Sequence, residues 1–400
     1  MIEYLSYFVV FMTILCVFIY LYLKSKYGFW IIQPVFHVYD IGYILNPPGI
    51  INHGLPKKNK YTNFKNIETR VFHELADFQI IKFVQFINKH YLQNKENVFA
   101  PKRENVTPYF YGHNTKSFIS FYHEDISLVD KNKNVIKDNK IVSVMTSRPM
   151  KVIINNNDDD ANFYCYYVDY LCVDKYYRKK GIAPQMIQTH HYNQSHLNKN
   201  ISISLFKRED ELTGIVPLCV YYTYGYSVDK WTKPLDLSPQ YKLIKITTQN
   251  LHLLYSFIHS NQDKFDVFIY SEIANIVELL KTTNIFIYVI VFDKEIKCVY
   301  FFRKTCVYIE KNQEVLSCFA SITNFEIDNT IFIHGFKIAF WKIAFDHYFG
   351  YAAVENISHN NIIIDNLSLK TKPLIISPTA YFFYNFALKT FPSNKIIVIN

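Results

Sequence analysis

The alternation of apolar and polar positions divides the chain into segments of different character. Residues 4–23, "YLSYFVVFMTILCVFIYLYL", carry no charge. About 20 such residues at 1.5 Å each are enough to cross a hydrocarbon core of about 30 Å, so a transmembrane helix is expected. Residues 46–60, with Pro, Gly and Lys, read as a connecting arm, and residues 72–92 bring apolar side chains round at helical spacing. Two strand-like runs, residues 140–154 and 163–173, flank the polar "NNNDDDAN" of residues 155–162, as a hairpin with a surface loop would. A turn-rich stretch at 231–241 opens a second series of strand-like runs, with a helix expected at 336–351. The pattern predicts an α/β protein of two successive halves behind one apolar anchor.

Composition changes this picture little. The 400 residues are 50% apolar and 18% aromatic, enough for two sizeable cores. Heavy use of Asn, Ile, Lys, Tyr and Phe with little Gly or Ala is what AT-rich coding sequence imposes. The formal charge of +9 is spread along the chain rather than gathered in arginine blocks, which argues against a nucleic-acid partner. Seven irregularly spaced cysteines, Cys16 among them within the apolar run, form neither a disulfide framework nor a zinc motif.

Charge does orient the anchor. Glu3 precedes it, no small-residue cleavage site follows, and Lys24 and Lys26 flank its far end, with Lys57, Lys58 and Lys60 beyond. An uncleaved single-pass anchor with the bulk of the chain facing the cytosol is expected. Ile2 excludes N-myristoylation of this chain itself.

The segment that carries chemistry is "YVDYLCVDKYYRKKGIAP", residues 167–184, an apolar strand breaking into three cations, a glycine and a proline-started helix. A basic, glycine-containing turn at a helix N-terminus presents backbone N–H groups to phosphate, and Pro184 loses nothing in a first helical turn. Arg178, Lys179, Lys180, Gly181, Ile182 and Ala183 fit Arg/Gln-x-x-Gly-x-Gly/Ala, the pyrophosphate turn of the GNAT acyl-CoA-dependent N-acyltransferases. The longer segment resembles the N-myristoyltransferase stretch Phe-Leu-Cys-Val followed by Arg-Ser-Lys-x-Leu/Val-Ala-Pro. Upstream, "YGFWIIQPV", residues 27–35, is similar to that family's Tyr-x-Phe-Trp-x-x-Gln-Pro-Val. "NKENVFA" (94–100), "YFFYNF" (381–386) and the apolar end "KIIVIN" (395–400) extend the likeness over residues 27–400.

The resemblance implies two fused GNAT-like halves with mixed sheets: an anchor at 1–26, an acyl-CoA-binding half at 27–230 and a peptide-binding half at 231–400. It implies transfer of a myristoyl group from myristoyl-CoA, a co-substrate, to the N-terminal glycine of proteins at a membrane surface, with no prosthetic group and no metal. Gly28, Phe29 and Trp30 would lie along the acyl-CoA. Tyr170 and Leu171 would give two backbone N–H groups to the thioester oxygen, Cys172 and Val173 would line the pantetheine path, and Arg178 to Ala183 would hold the phosphates. The chain-terminal carboxylate, here on Asn400, would accept the proton of the substrate ammonium, which Asp169 would help to bind.

The sequence departs from that family on the peptide side. Gln93, Asn94, Lys95 and Glu96 stand where it has an acidic cluster, "LFKRED" (205–210) replaces Tyr-Thr-Ala-Gly, and "LIISPTA" (374–380) replaces Gly-x-Gly-Asp-Gly. Two other readings therefore stay open: a catalytically reduced relative with a binding or structural role, and a GNAT enzyme acting on another amine. His190, His191 and His196 have no metal-ligand spacing and are expected as polar positions of the helix after the turn.

Overall fold

The computed structural model describes every residue except 1, 46–48, 93–96, 130–134, 156–160, 210–213, 311–312 and 325–327. The departures at 93–96 and at 210, and most of the 155–162 loop, lie outside the described residues. The helices are α1 (Ile2–Tyr27), α2 (Ile41–Leu45), α3 (Asp77–His90), α4 (Arg103–Val106), α5 (Ile182–Leu197), α6 (Leu251–Asn261), α7 (Ile273–Lys281), α8 (Asn329–His347) and α9 (Asn360–Lys370). In the first half the strands are β1 (Gly49–Ile50), β2 (Ile67–Val71), β3 (Val98–Phe99), β4 (Phe118–Val129), β5 (Val135–Ile154), β6 (Ala161–Val173), β7 (Ser204–Glu209) and β8 (Cys219–Ser227). In the second they are β9 (Tyr241–Ile246), β10 (Val267–Tyr270), β11 (Ile285–Phe292), β12 (Glu295–Ile309), β13 (Gln313–Thr323), β14 (Phe349–Glu355), β15 (Ile375–Tyr384), β16 (Phe386–Ala387) and β17 (Ile396–Ile399).

A mixed sheet runs in the order β17-β10-β5-β6-β7-β15-β8-β14-β13-β12-β11-β9, with β2 and β4 continuing from β5. Two parallel pairs, β6 with β7 and β13 with β14, are each joined through a helix, α5 and α8. Parallel neighbours need such a crossover. The α/β expectation holds, and β5 and β6 form the expected antiparallel hairpin from Ile154↔Ala161 to Ser143↔Val173.

Helix bounds moved where local backbone overrode periodicity. The helix expected over 72–92 begins only at Asp77, because Phe72–Glu74 forms a separate 3-10 turn and Leu75 and Ala76 are extended. That expected over 336–351 starts earlier, at Asn329 behind an Asp328 cap, and stops at Tyr348, whose φ of 61° ends the helix before Phe349 enters β14.

The N-terminal anchor is the expectation that the fold does not support. Among the described residues no helix is long and apolar enough to cross a membrane. The expected span falls on α1, where the side chains of residues 2, 3, 5 and 23–27 are outside the description. Those that are described, Tyr7, Phe8, Phe11 and Phe18 among them, are exposed.

Candidate active site

The site begins where two strands part. β6 pairs with β5 as far as Val173, but with parallel β7 only at Tyr166↔Ser204, Tyr167↔Leu205 and Val168↔Phe206. Beyond Val168, β7 stays with β15 and the sheet opens. At the same point β6 carries a bulge: Met145 opposes Leu171 and Ser147 opposes Val168, so Asp169 and Tyr170 together face Thr146. A bulge twists the strand and re-aims its backbone, which is why such irregularities mark sites.

A cavity of about 620 Å³ fills the opening, lined by Phe29, Trp30, Val168, Asp169, Leu171, Ile187 and Phe206 among others. Trp30 stacks on Phe206 at 5.7 Å, and Phe206 on Phe382 at 5.3 Å, so the arm after α1 closes the cavity with aromatic surface. Gly28 stands before this pair and is not among the lining residues. The cavity continues into a groove of about 690 Å³ through the shared residues Tyr91, Leu92, Leu171, Ala183 and Pro184. That groove is lined by Cys172, Val173, Arg178, Lys179, Gly181 and Ile182.

The turn at the groove's far end has the geometry an anion needs. Gly181 caps α5 with φ of 73°, and Lys179 also has positive φ, 63°. No side chain caps the first N–H groups of α5, so they face out beside exposed Lys179 and Lys180. A Cβ at Gly181 would meet nothing within 4 Å. The glycine is needed there for its backbone conformation and not to avoid crowding. Arg178 serves the turn differently, because its Nη2 donates to the His90 carbonyl at 2.8 Å and ties the turn to the end of α3. Asp174 supports it from below, accepting from Lys140 Nζ at 2.9 Å and from the Tyr176 N–H at 3.0 Å.

The cavity is polar at the β6 bulge. The Tyr170 N–H donates to Thr146 Oγ1 at 3.1 Å, so one of the two expected backbone donors already has a partner. The Tyr170 ring packs against Phe83, Tyr91 and Phe99. Cys172 is buried, and burial pushes its thiol up to about 12, which makes it a lining residue and a poor nucleophile. Asp169 accepts from Arg148 Nε at 2.8 Å; burial raises its pKa, and the guanidinium works against that. Arg148, 1% exposed, donates its Nη1 to Ser271 Oγ at 3.0 Å, and the Ser271 N–H donates to the Ile399 carbonyl at 3.0 Å. A chain of polar contacts therefore links Asp169 to the strand that ends in Asn400.

Asn400 is buried, 5% exposed, at the end of β17, which pairs in parallel with β10. Its side-chain Oδ1 accepts from Arg303 Nη1 at 2.9 Å, and the other arm of Arg303 donates to Glu355. Glu355 also accepts from Tyr221 Oη at 2.7 Å and Lys207 Nζ at 3.2 Å. Burial works to raise its pKa, but these cations and the hydroxyl lower it to about 2. Lys207 also lines the cavity, so the replaced segment at 205–210 places a cation near Asp169.

Sequence reasoning did not find Thr146, Arg148, Lys207, Arg303 or Glu355. Arg148 did leave a trace, an arginine inside an apolar strand run. The others gave none, because their meaning lies in contacts across 24 to 148 positions. Of the helical histidines His190 and His191 are buried and His196 is half-buried; His190 bonds Ser120 Oγ at 2.8 Å and Ser147 Oγ at 2.9 Å, and burial lowers its pKa to about 3. Among the described residues no group of three His, Cys, Asp or Glu could hold a metal.

Residues 57–219 match the family model for the N-terminal domain of myristoyl-CoA:protein N-myristoyltransferase. No curated protein matches the chain. Among solved structures it is similar to Saccharomyces cerevisiae N-myristoyltransferase with bound myristoyl-CoA, at 14% identity and a TM-score of 0.69, covering 92% of this chain and 94% of that one. A second structure of the yeast enzyme with myristoyl-CoA gives 0.71 at 14% identity, covering 92% of this chain and 90% of that one. One with inhibitors as well gives 0.71 at 13% identity, with 92% and 91% covered. The family model thus spans the segments 94–100 and 167–184, and the likeness of fold extends over most of the chain.

Proposed function

We propose that this chain is a glycylpeptide N-myristoyltransferase, moving a long acyl group from acyl-CoA to an N-terminal glycine. The observation that carries this is the continuous path from the phosphate turn of α5, past the β6 bulge, into an apolar cavity where β6 and β7 separate. Cationic donors at one end and aromatic walls at the other match the two ends of an acyl-CoA, with Leu171 at the junction.

In this reading the α5 N–H groups, Lys179 and Lys180 hold phosphates, Cys172 and Val173 line the pantetheine, and Phe29, Trp30 and Phe206 cover the acyl chain. Backbone donors at Tyr170 and Leu171 polarise the thioester carbonyl, the first once Thr146 gives up its bond. The acceptor amine attacks the carbonyl carbon, the C–S bond breaks, CoA leaves as the thiol and an amide remains. An ammonium cannot attack, so its proton must first leave; the Asn400 carboxylate is the acceptor proposed, with Asp169 and Arg148 shaping the field. The carboxylates that line the cavity, Asp169 and Glu209, share its wall with Lys207 and Arg208.

The membrane reading rests on the exposed apolar side chains of α1, followed by Lys24 and Lys26. It puts the chain on the cytosolic side of a membrane, where acyl-CoA and product exchange with the bilayer. Protease protection in sealed vesicles tests it, and a protected domain glycosylated at Asn105 or Asn193 would overturn it.

A second reading has one observation in its favour. The Tyr170 N–H is committed to Thr146, as it would be in a relative that holds acyl-CoA without transferring it. Incubation with myristoyl-CoA and peptides beginning with Gly or Ala decides: transfer to Gly alone supports the first reading, binding without transfer the second. Acylation of both peptides would point to a broader amine acyltransferase.

A further inference from the structure

A second cavity, of about 320 Å³, shares His191 and Tyr384 with the first as wall residues. Its volume falls within the range of small-molecule sites, about 300–1,000 Å³. α5 presents Gln188, His191 and Ser195 to it, spaced i, i+3 and i+7 on one helix face. Gln33 comes from the arm after α1, and Asn385 stands just past β15. The polar groups of Asn385 are spent on tying these walls together. Its Nδ2 donates to the carbonyls of Asn52 at 3.0 Å and Ser202 at 3.2 Å, its Oδ1 accepts from the Asn52 N–H at 2.8 Å, and its own N–H donates to the Pro34 carbonyl at 2.6 Å.

The floor, by contrast, holds polar atoms with nothing to bond. Gln33 Nε2, His191 Nδ1 and Ser195 Oγ have no hydrogen-bond partner among the described residues, and these three residues are only 5%, 7% and 1% exposed. Buried polar groups left unpaired are unfavourable, so a bound molecule that pairs them is stabilised. Gln33 is fixed as a donor, because its Oε1 already accepts from Tyr384 Oη. Ser195 can donate too, and so can His191 through one ring nitrogen; burial lowers its pKa to about 4, so the ring is neutral near pH 7. At the mouth Lys57 and Lys199 are exposed, and no Asp or Glu is among the described lining residues. The carbonyl end of α5, at Leu197, carries roughly half a negative charge, which two ammonium groups outweigh.

We propose that this chamber binds a small soluble phosphate ester, its oxygens bonded by Gln33, Ser195 and His191 and its charge met by Lys57 and Lys199. A phosphate offers three acceptor oxygens to donors that converge from the arm and from α5, where a carboxylate offers two. The site stands whether or not the first cavity takes an acyl chain.

The experiment titrates inorganic phosphate and glycerol 3-phosphate into the full chain by calorimetry at constant ionic strength. The same titrations are made with Ser195→Ala, with Lys199→Glu and, because phosphate can also meet the basic turn before α5, with Lys179→Glu plus Lys180→Glu. Lys199 is exposed and alanine is the best helix former, so both chamber variants should fold. The expected result is glycerol 3-phosphate binding that the turn variant leaves within about twofold and that each chamber variant weakens by about tenfold or more, the worth of one bond to a charged group. Binding lost in the turn variant alone places the anion at the turn and overturns the chamber. Absence of binding by the unaltered chain, or binding that neither chamber variant weakens, overturns it as well.

Discussion

Replacing Glu355 with Gln removes a buried charge while keeping the side chain's shape. Glu355 is 4% exposed and holds Lys207, Arg303 and Tyr221, with Arg303 in turn gripping Asn400. Its pKa falls from 4.5 to about 2 although burial alone would raise it. At 1.36 kcal/mol per pH unit that drop is worth roughly 3 kcal/mol. Because the folded value is the lower one, this stability is fully present above pH about 4.5 and is lost as pH falls toward 2. The Gln variant lacks it at every pH and leaves two half-buried cations, Lys207 and Arg303, without their carboxylate, so it should be less stable by about 3 kcal/mol at pH 7. Urea unfolding of both proteins at a series of pH values from about 7 to 3 measures the gap. It should narrow below pH about 5, and transfer should fall more than acyl-CoA affinity because Arg303 loses its anchor. A gap of constant size across that range would show that Glu355 titrates at the same pH in the folded and unfolded protein, and the charge network around Asn400 would have to be redrawn.

Other outcomes follow from the same geometry. A short tag appended after Asn400 should abolish transfer to a glycine peptide, by about 100- to 10,000-fold, with acyl-CoA affinity nearly constant; full activity in the tagged protein would exclude the carboxyl-terminal base. Lys179→Glu with Lys180→Glu should weaken acyl-CoA binding and reduce its salt dependence in calorimetry, whereas Arg178→Glu should also lower the melting temperature because it cuts the bond to the His90 carbonyl. Gly181→Val should weaken binding through backbone strain of about 1–3 kcal/mol and not through a clash, and Gly181→Asn, which tolerates the left-handed region, should recover most of the loss. Trp30→Ala should weaken acyl-CoA binding while free CoA binds as before, since its ring lies on the aromatic wall and not on the phosphate groove.

The basic turn before α5 was legible because it is local: a few consecutive residues fix both the left-handed glycine and the helix start. The arm at residues 27–35 was legible for the same reason, although its Gly28 stays off the cavity wall while Phe29 and Trp30 reach it. Helix bounds were less so, since Leu75, Ala76 and Tyr348 take extended or left-handed backbone that apolar periodicity does not record. His190 looked like a polar helix position because the sequence does not show Ser120 and Ser147 arriving to satisfy it.

By itself the sequence determined the hairpin of β5 and β6, the basic turn before α5, and the aromatic arm, all written in residues close along the chain. Tertiary structure alone decided that β7 leaves β6 after Val168, which creates the cavity, because β7 goes on pairing with β15 along its other edge as far as Glu209 while β6 stays with β5. It alone brought Arg148 to Asp169 and drew Lys207 and Arg303 to Glu355 beside Asn400. Buried charges must find partners wherever the fold brings them, and no local pattern encodes which distant residue will supply one.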